Sequence, residues 1–319
     1  MTTTTARPAV LSMEQVYAPL EEALASHYEL YKWWEIEDKD DFLAHQGQKI
    51  RGIVTTGGFG ADRTLIESLP ALEVIADFGV GFDAIDLDAA REHNVAVSNT
   101  PQVLNECVAD TALALLLSLS RRIVKGDGFI RAGKWPSGGF ELGYKVTGKR
   151  IGIVGLGRIG RKIAQRAAGF DMQIGYTDVA PSDTAPESYT FYSELNTLAS
   201  ASDYLVLTLP GGASTHHLVD AAILEALGKD SFLINVARGS IVDEQALIEA
   251  LKSNGIAGAG LDVFEHEPNV PQALIDDERV VLTPHLASAT VETRDAMTAL
   301  VLDNLASWFS QQTLKTAVV

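Results

Sequence analysis

What this chain can fold into is limited most by a succession of short apolar runs that end in turns. They are RIGIVG near residues 150–155, QIGYTD near 173–178, YLVLTLP near 204–210, FLINVA near 232–237, GAGLDVF near 258–264 and VVLTPH near 280–285. Every gap except the last holds a stretch fit for a helix. Strands joined by helical crossovers build parallel sheets. The first hundred residues repeat the pattern with GIVTT, LEVIAD and VAVSN, and with DLDAAREH as a helical segment. Two α/β units are therefore expected, each a doubly wound parallel sheet. The amphipathic close SATVETRDAMTALVLDNLASWFSQQ is expected to pack back on the first unit. That makes residues 1–99 with 286–319 one discontinuous domain and residues 100–285 the other.

Between the two series lies NTPQVLNECVADTALALLLSLSRRIVKGDGFIRAGKW. Pro101 suits the first turn of a helix, with Thr100 or Asn99 as its cap. The long apolar run that follows suits a place between domains or subunits. It contains Asp110 and is too short to span a bilayer. The formal net charge of -17 argues against nucleic acid, whose phosphates require Lys and Arg, and against an anionic membrane surface. A small anionic substrate stays compatible with it, provided a local positive site stands inside the negative field. Cys107 is the single cysteine, so no intrachain disulfide forms, as in a reducing compartment. The start, MTTTTARPAV, has no apolar leader segment. A cytoplasmic location is expected, and no metal is.

VGLGRIGRKIAQRA carries G-x-G-x-x-G in Gly155, Gly157 and Gly160. Glycine spacing alone says little, because glycines gather in many turns. Here the motif follows a strand and opens a helix, as a dinucleotide fold requires. The helix N-terminus then faces a pyrophosphate. Arg158 is equally suited to a phosphate contact and to a solvated surface. Asp178 ends the next strand, 18 residues after Gly160. A carboxylate there accepts hydrogen bonds from both ribose hydroxyls of NAD and repels a 2′-phosphate. The next ten residues hold no Arg or Lys. NAD(H) is therefore preferred over NADP(H).

Further candidates stand at the other strand ends. Arg238 follows FLINVA directly, and a guanidinium there grips a carboxylate or a polarised carbonyl with paired hydrogen bonds. Its structural alternative is a buried arginine tying loops together. Asp243 and Glu244 suit the start of the helix DEQALIEALKS. His285 follows VVLTP, with Pro284 fixing the turn. Of the remaining histidines, His216 and His217 follow the Pro210 strand end, while His27, His45 and His93 lie in ordinary segments. In GLDVFEHEPNV, Asp262 precedes Glu265, His266, Glu267 and Pro268. A glutamate beside a histidine keeps a proton on the imidazole and orients the ring. Residue type and spacing leave Glu265, His266 and Glu267 equally open. In an open parallel sheet all these strand ends share one edge, and a ligand between two such edges is expected.

The stretches FGVGFDAID, NECVADTALALLL, VGLGRIG, INVARGSIVDEQAL, GAGLDVFEHEP and LTPHLASATVETR, in this order and spacing, resemble the D-isomer-specific 2-hydroxyacid dehydrogenase family. The resemblance spans nearly the whole chain and is closest to the glyoxylate/hydroxypyruvate reductase branch. It implies a Rossmann dinucleotide-binding domain plus a flavodoxin-like substrate domain. It assigns the catalytic set to Arg238, Glu267 and His285, with His285 as general acid in reduction and Glu267, not Glu265, as its partner. Substrate contacts fall to Arg238, to the loop amides of Gly79, Val80 and Gly81, and to the Gly57–Gly58 loop. Cofactor contacts fall to Thr111, Gly155, Leu156, Gly157, Arg158, Ile159, Gly160, Asp178, Leu209, Pro210, Thr215, Val236, Ala237, Arg238, Asp262 and His285. A homodimer is implied, with Trp135 reaching the partner's substrate pocket.

Two departures stand out. The usual L-T-P-E-T after the fourth strand reads Gly211-Gly212-Ala213-Ser214-Thr215. NADP-using relatives carry Arg and Ser where this chain has Asp178-Val179-Ala180. The expected activity is NADH-dependent reduction of a small 2-oxo acid to the D-2-hydroxy acid. A reductase of a larger 2-oxo acid, such as 2-ketogluconate or an aryl pyruvate, is the first alternative. A dinucleotide-sensing regulatory protein is the second.

Overall fold

The apolar runs become strands because their side chains are buried on both faces. Tyr204–Leu207, Phe232–Asn235 and Gly258–Leu261 are buried at every position, the signature of a parallel sheet covered by helices on each side. The computed structural model describes residues 7–319; Met1–Ala6, most of the stretch read above as lacking a leader, lies outside the described residues. In chain order the elements are β1 (Ala9–Ser12), α1 (Ala18–His27), β2 (Glu29–Lys32), α2 (Lys39–Gln46), β3 (Ile50–Thr55), α3 (Arg63–Glu67), β4 (Val74–Asp77), α4 (Leu87–Glu92), β5 (Ala96–Ser98), α5 (Asn105–Ser120), α6 (Ile123–Arg131), β6 (Arg150–Val154), α7 (Arg158–Ala168), β7 (Gln173–Thr177), β8 (Thr190–Phe191), α8 (Leu195–Ser200), β9 (Tyr204–Leu207), α9 (Ala221–Leu227), β10 (Phe232–Asn235), α10 (Glu244–Lys252), β11 (Gly258–Leu261), α11 (Gln272–Ile275), β12 (Val280–Leu282) and α12 (Val291–Gln311).

These elements form two compact units. One holds the described residues up to Leu104 together with Ala289–Val319, the other Asn105–Ser288. The boundaries stand at 104/105 and 288/289, against 99/100 and 285/286 expected from sequence.

The first unit is a parallel five-stranded sheet in the order β2-β1-β3-β4-β5. Its centre is apolar and closed: Leu11, Ile50, Ile53 and Ile75 are fully buried. The last helix returns here. α12 lies against β4 and α1, and a Cβ on Gly52 would come within 3.3 Å of Phe309 Cζ, so the missing side chain at Gly52 lets α12 settle on β3. Two strands of this sheet have no counterpart among the sequence-predicted ones. β1 is only four residues long, and β2 is a partly exposed edge strand, so neither gives a long apolar run.

The second unit is a seven-stranded parallel sheet in the order β12-β11-β10-β9-β6-β7-β8. The chain winds outward from β6 through β7 to β8, then returns to β9 on the other side of β6. The carboxyl ends of β6 and β9 therefore flank the point where winding reverses, the place where doubly wound sheets bind ligands.

The helix expected to begin at Pro101 begins at Asn105. Thr100 is engaged elsewhere: its backbone amide and its Oγ1 both donate to the Gly79 carbonyl, at 2.7 and 2.9 Å. The long apolar run is also not one helix. Arg122 takes a left-handed φ of 53° and separates α5 from α6. α5 buries Val108, Ala112, Leu115 and Leu119 against α7 and the sheet. A Cβ on Gly260 would lie 3.0 Å from Leu115 Cβ, which explains a glycine inside strand β11.

Candidate active site

The three motif glycines serve three different needs. Gly155 turns the chain after β6 with φ 92°, a conformation that penalises any Cβ. Gly160 packs α7 onto that turn: a Cβ there would stand 2.1 Å from the Gly155 carbonyl oxygen. Gly157 caps α7, and a Cβ on it would meet nothing within 4 Å. The open space thus lies at the helix N-terminus, where amides and the helix dipole favour an anion. This cradle fits a dinucleotide pyrophosphate.

Asp178 follows β7 and closes over the same turn. Its Oδ2 accepts from the Leu156 amide at 2.9 Å and its Oδ1 from the Val179 amide at 2.8 Å. Arg161, which the sequence reading passed over, reaches the loop after Asp178. Its Nη2 donates to Ser182 Oγ at 2.9 Å, its Nη1 to Thr184 Oγ1, and its Nε to the Leu156 carbonyl at 3.0 Å. Beyond β9, Thr215 Oγ1 donates to the Pro210 carbonyl at 2.9 Å, which folds the Gly-rich 211–214 segment back beside Leu209 and Pro210. Thr111 Oγ1 donates to the Ala287 carbonyl at 3.4 Å.

Beyond β10, Asn235 organises the turn that presents Arg238. Its Oδ1 accepts from the Ala237 amide at 3.0 Å and its Nδ2 donates to the Arg238 carbonyl at 2.8 Å. Val236 and Ala237 are buried, and Arg238 is partly exposed. Gly239 must be a glycine, because a Cβ there would overlap the Phe264 carbonyl carbon at 1.9 Å. Asp243 caps α10 through the Ala246 amide at 2.9 Å, as expected.

Beyond β11 the FEHEP segment sorts its own residues. Glu267 Oε2 lies 2.8 Å from His285 Nδ1, and Glu267 Oε1 accepts from the Phe264 amide at 2.9 Å. Glu265 Oε1 instead lies 2.7 Å from His217 Nε2. His266 engages neither histidine; its carbonyl accepts from the Asn269 amide at 2.8 Å. Each glutamate has its own histidine, and the histidine between them has no part. Burial pushes the Glu267 carboxyl up, but the His285 hydrogen bond and charge, the Phe264 amide and the Arg238 charge outweigh it and hold the carboxyl below its usual range. The hydrogen bond to Glu265 raises the His217 imidazole above its ordinary value.

His285 itself is held in place by Asp262. The His285 amide donates to the Asp262 carbonyl at 2.9 Å. The Asp262 carboxylate is wholly buried and accepts from Thr283 Oγ1 at 2.6 Å and from the Leu286 and Ala287 amides at 2.9 and 3.0 Å. Burial raises this carboxyl above its ordinary range. His285 adopts φ 49°, a left-handed conformation that costs a non-glycine residue on the order of 1 kcal/mol. These bonds to Asp262 hold it there. Second-unit candidates from Gly155 to His285 thus gather along the carboxyl ends of β6, β7, β9, β10, β11 and β12. The His217–Glu265 pair joins them and was signalled only by the position of His217 after a strand end.

The first unit has its own strand-end loops. After β4, the Gly79 carbonyl is taken by Thr100 and the Val80 carbonyl by Asn99 Nδ2 at 2.9 Å. Among the described residues the amides of Gly79, Val80 and Gly81 donate to no protein group. Successive free amides make an anion-binding nest. After β3, Gly57 and Gly58 lie in a turn closed by the Gly60 amide on the Thr56 carbonyl at 2.8 Å. Thr56 Oγ1 in turn donates to Glu14.

A doubly wound sheet with a glycine turn open at a helix N-terminus, a carboxylate beside that turn and a carboxylate–histidine pair fits an oxidoreductase with an NAD-binding Rossmann unit. The comparisons with known proteins give the particular family. Residues 113–287 match the family model of the D-isomer specific 2-hydroxyacid dehydrogenase, NAD binding domain. Hydroxyphenylpyruvate reductase of Plectranthus scutellarioides is 44% identical over 97% of this chain and 98% of its own length. The 2-ketogluconate reductase of Gluconobacter oxydans is 43% identical, covering 98% of this chain and 99% of that protein. The structure of an NADPH-dependent glyoxylate/hydroxypyruvate reductase from Sinorhizobium meliloti, in complex with NADP and malonate, superposes with a TM-score of 0.92 at 40% identity, over 98% of this chain and 97% of that one. The chain belongs to the D-isomer-specific 2-hydroxyacid dehydrogenase family, in its glyoxylate reductase branch, and is an enzyme rather than a regulatory protein. Among the described residues no helix is long and apolar enough to cross a membrane.

Proposed function

We propose that this enzyme reduces a small 2-oxo acid of the glyoxylate/hydroxypyruvate class to the D-2-hydroxy acid, using NADH, in the cytoplasm. The observation that carries this reading is the Glu267–His285 pair, 2.8 Å apart, on the sheet edge that also presents Arg238. NADH, when bound, supplies the hydride. Glu267, ionised, accepts a hydrogen bond from His285 Nδ1–H and orients the ring, so that with both ring nitrogens protonated His285 gives its Nε2 proton to the substrate oxygen and is left as the Nδ1–H tautomer. Arg238 would grip the substrate carboxylate and carbonyl by its planar fork, and within the first unit the free Gly79–Gly81 amides suit a carboxylate. The Gly57–Gly58 loop covers the substrate.

Leu156–Ile159 would hold the cofactor, with Thr111, Leu209, Pro210, Thr215, Val236, Ala237 and Asp262 as its further contacts. The NADH preference rests on Asp178 beside the glycine turn. Arg161 is tied by its three nitrogens to the Leu156 carbonyl and to Ser182 and Thr184 of the loop after Asp178.

A homodimer accords with α6, which buries none of its residues. Ile123, Val124 and Ile130 on it are 53–58% exposed, and Trp135 and Leu142 beyond it are 65% and 89% exposed. Apolar side chains grouped in this way mark a partner surface.

The test is NADH oxidation with glyoxylate, hydroxypyruvate, 2-ketogluconate and phenylpyruvate. The highest kcat/KM is expected with glyoxylate or hydroxypyruvate. A clear preference for 2-ketogluconate or phenylpyruvate, the direction in which two relatives' names point, would replace the small-acid reading with the larger-acid one.

A further inference from the structure

The net charge of -17 sets a problem for an enzyme of anionic substrates: each substrate approaches through a repulsive field. Arg238 answers it in the second unit. The first unit has a cation of its own, Arg294, near the start of α12.

Arg294 stands against its own electrostatics in three ways. It is the fourth residue of α12, whose cap is Thr290, and a helix N-terminus disfavours positive charge. Its side chain is partly buried, and burial pushes the guanidinium below its ordinary value. Among the described residues no carboxylate pairs with it: the neighbouring Asp295 accepts instead from the Tyr17 hydroxyl at 2.8 Å. Its guanidinium lies over the ring of Phe78, 5.4 Å from Cζ to centroid. An arginine kept for structure normally ties loops together by hydrogen bonds. This one instead stacks on the residue that opens the Gly79–Gly81 segment, whose three amides are also unspent. Free amides on this loop and a guanidinium stacked on its first residue are complementary to an anion, and they work against the buried Asp77 carboxylate, whose oxygens would lie 3.4 Å from a Cβ on Gly79.

We propose that Arg294 is the charge-selecting residue of the substrate site, holding a positive field under the Phe78–Gly81 loop so that a carboxylate is drawn to its amides. This rests on the proposed function. Arg294 takes no part in hydride or proton transfer. It sets affinity for the anionic form of the substrate over an uncharged carbonyl compound.

The test replaces Arg294 by Gln and by Lys and measures kcat and KM for glyoxylate, and for its uncharged methyl ester, at two salt concentrations. In Arg294→Gln the KM for glyoxylate is expected to rise roughly 10- to 100-fold, the loss of one charge near an anion at intermediate dielectric. The kcat, the KM for NADH and the rate with the ester should change less than about twofold. Arg294→Lys should recover most of the loss, and the salt dependence of kcat/KM should weaken in the Gln variant. An unchanged KM, or an equal loss with acid and ester, overturns the inference and leaves a packing role. If the wild type reduces no 2-oxo acid, the proposed function fails by itself. Calorimetric titration with oxalate then reads Arg294 separately, since equal affinity in wild type and Arg294→Lys or Arg294→Gln overturns the charge-selecting role.

Discussion

Replacing Glu267 by Gln removes the negative charge beside His285 and, with the Phe264 bond kept, sets an N–H donor where a carboxylate oxygen faced Nδ1. The Gln carbonyl can stay where Glu267 Oε1 accepts from the Phe264 amide, and its amide can occupy the place of Oε2, 2.8 Å from His285 Nδ1. What disappears is a charge-assisted hydrogen bond, worth about 1.5–3 kcal/mol. The Glu267 side chain is 34% exposed, so solvent screening favours the lower half of that range. At about 1.36 kcal/mol per decade, kcat for 2-oxo acid reduction should fall about 10- to 50-fold, with the KM for NADH unchanged. The assay is NADH absorbance at saturating substrate near neutral pH. A kcat within twofold of wild type would refute the dyad. The pH dependence has a fixed sign. The Glu267 carboxyl is held below its ordinary value in the fold, so its stabilising contribution is complete above the unfolded value of about 4.3 and is lost as pH falls through the lower folded value. Thermal melting should therefore separate wild type from Glu267→Gln above about pH 4.3, and the gap should close in more acidic buffer.

Other substitutions probe the scaffold and the cofactor. Gly160→Ala puts a Cβ 2.1 Å from the Gly155 carbonyl; a loss of about 1–3 kcal/mol and weaker NADH binding are expected in denaturant titration and fluorescence, and a stable variant with normal binding would contradict the packing role. Asp262→Asn confronts the Leu286 or Ala287 amide with an N–H in place of an acceptor; about 1–3 kcal/mol of stability should be lost, with a drop in kcat as the His285 turn loosens. Asp178→Ala should lower the ratio of NADH to NADPH activity, and an unchanged ratio would remove Asp178 from cofactor choice.

Much of this molecule is legible in its sequence because its chemistry sits at strand ends. A buried parallel strand writes a short apolar run, and the first polar residues after it occupy the functional edge. Asp178, Arg238, Asp262 and His285 are all found that way. What is not legible depends on contacts that spacing does not encode. Glu265 and Glu267 are equivalent by residue type, and only the fold gives one to His217 and the other to His285. β2 is hidden because an edge strand needs no apolar run. The helix start was misplaced because Thr100 is spent on the Gly79 carbonyl. Arg294 stands out by the partner it lacks, which no sequence pattern records.

The central claim is that His285 is the proton donor of a 2-oxo acid reductase. Its most direct test is His285→Ala, measured for turnover of glyoxylate or hydroxypyruvate with NADH and, separately, for NADH binding by fluorescence titration. Turnover should fall about 10²- to 10⁴-fold while NADH affinity stays within about twofold of wild type, a change below 0.5 kcal/mol on the affinity scale. Turnover near the wild-type level in that variant would contradict the account.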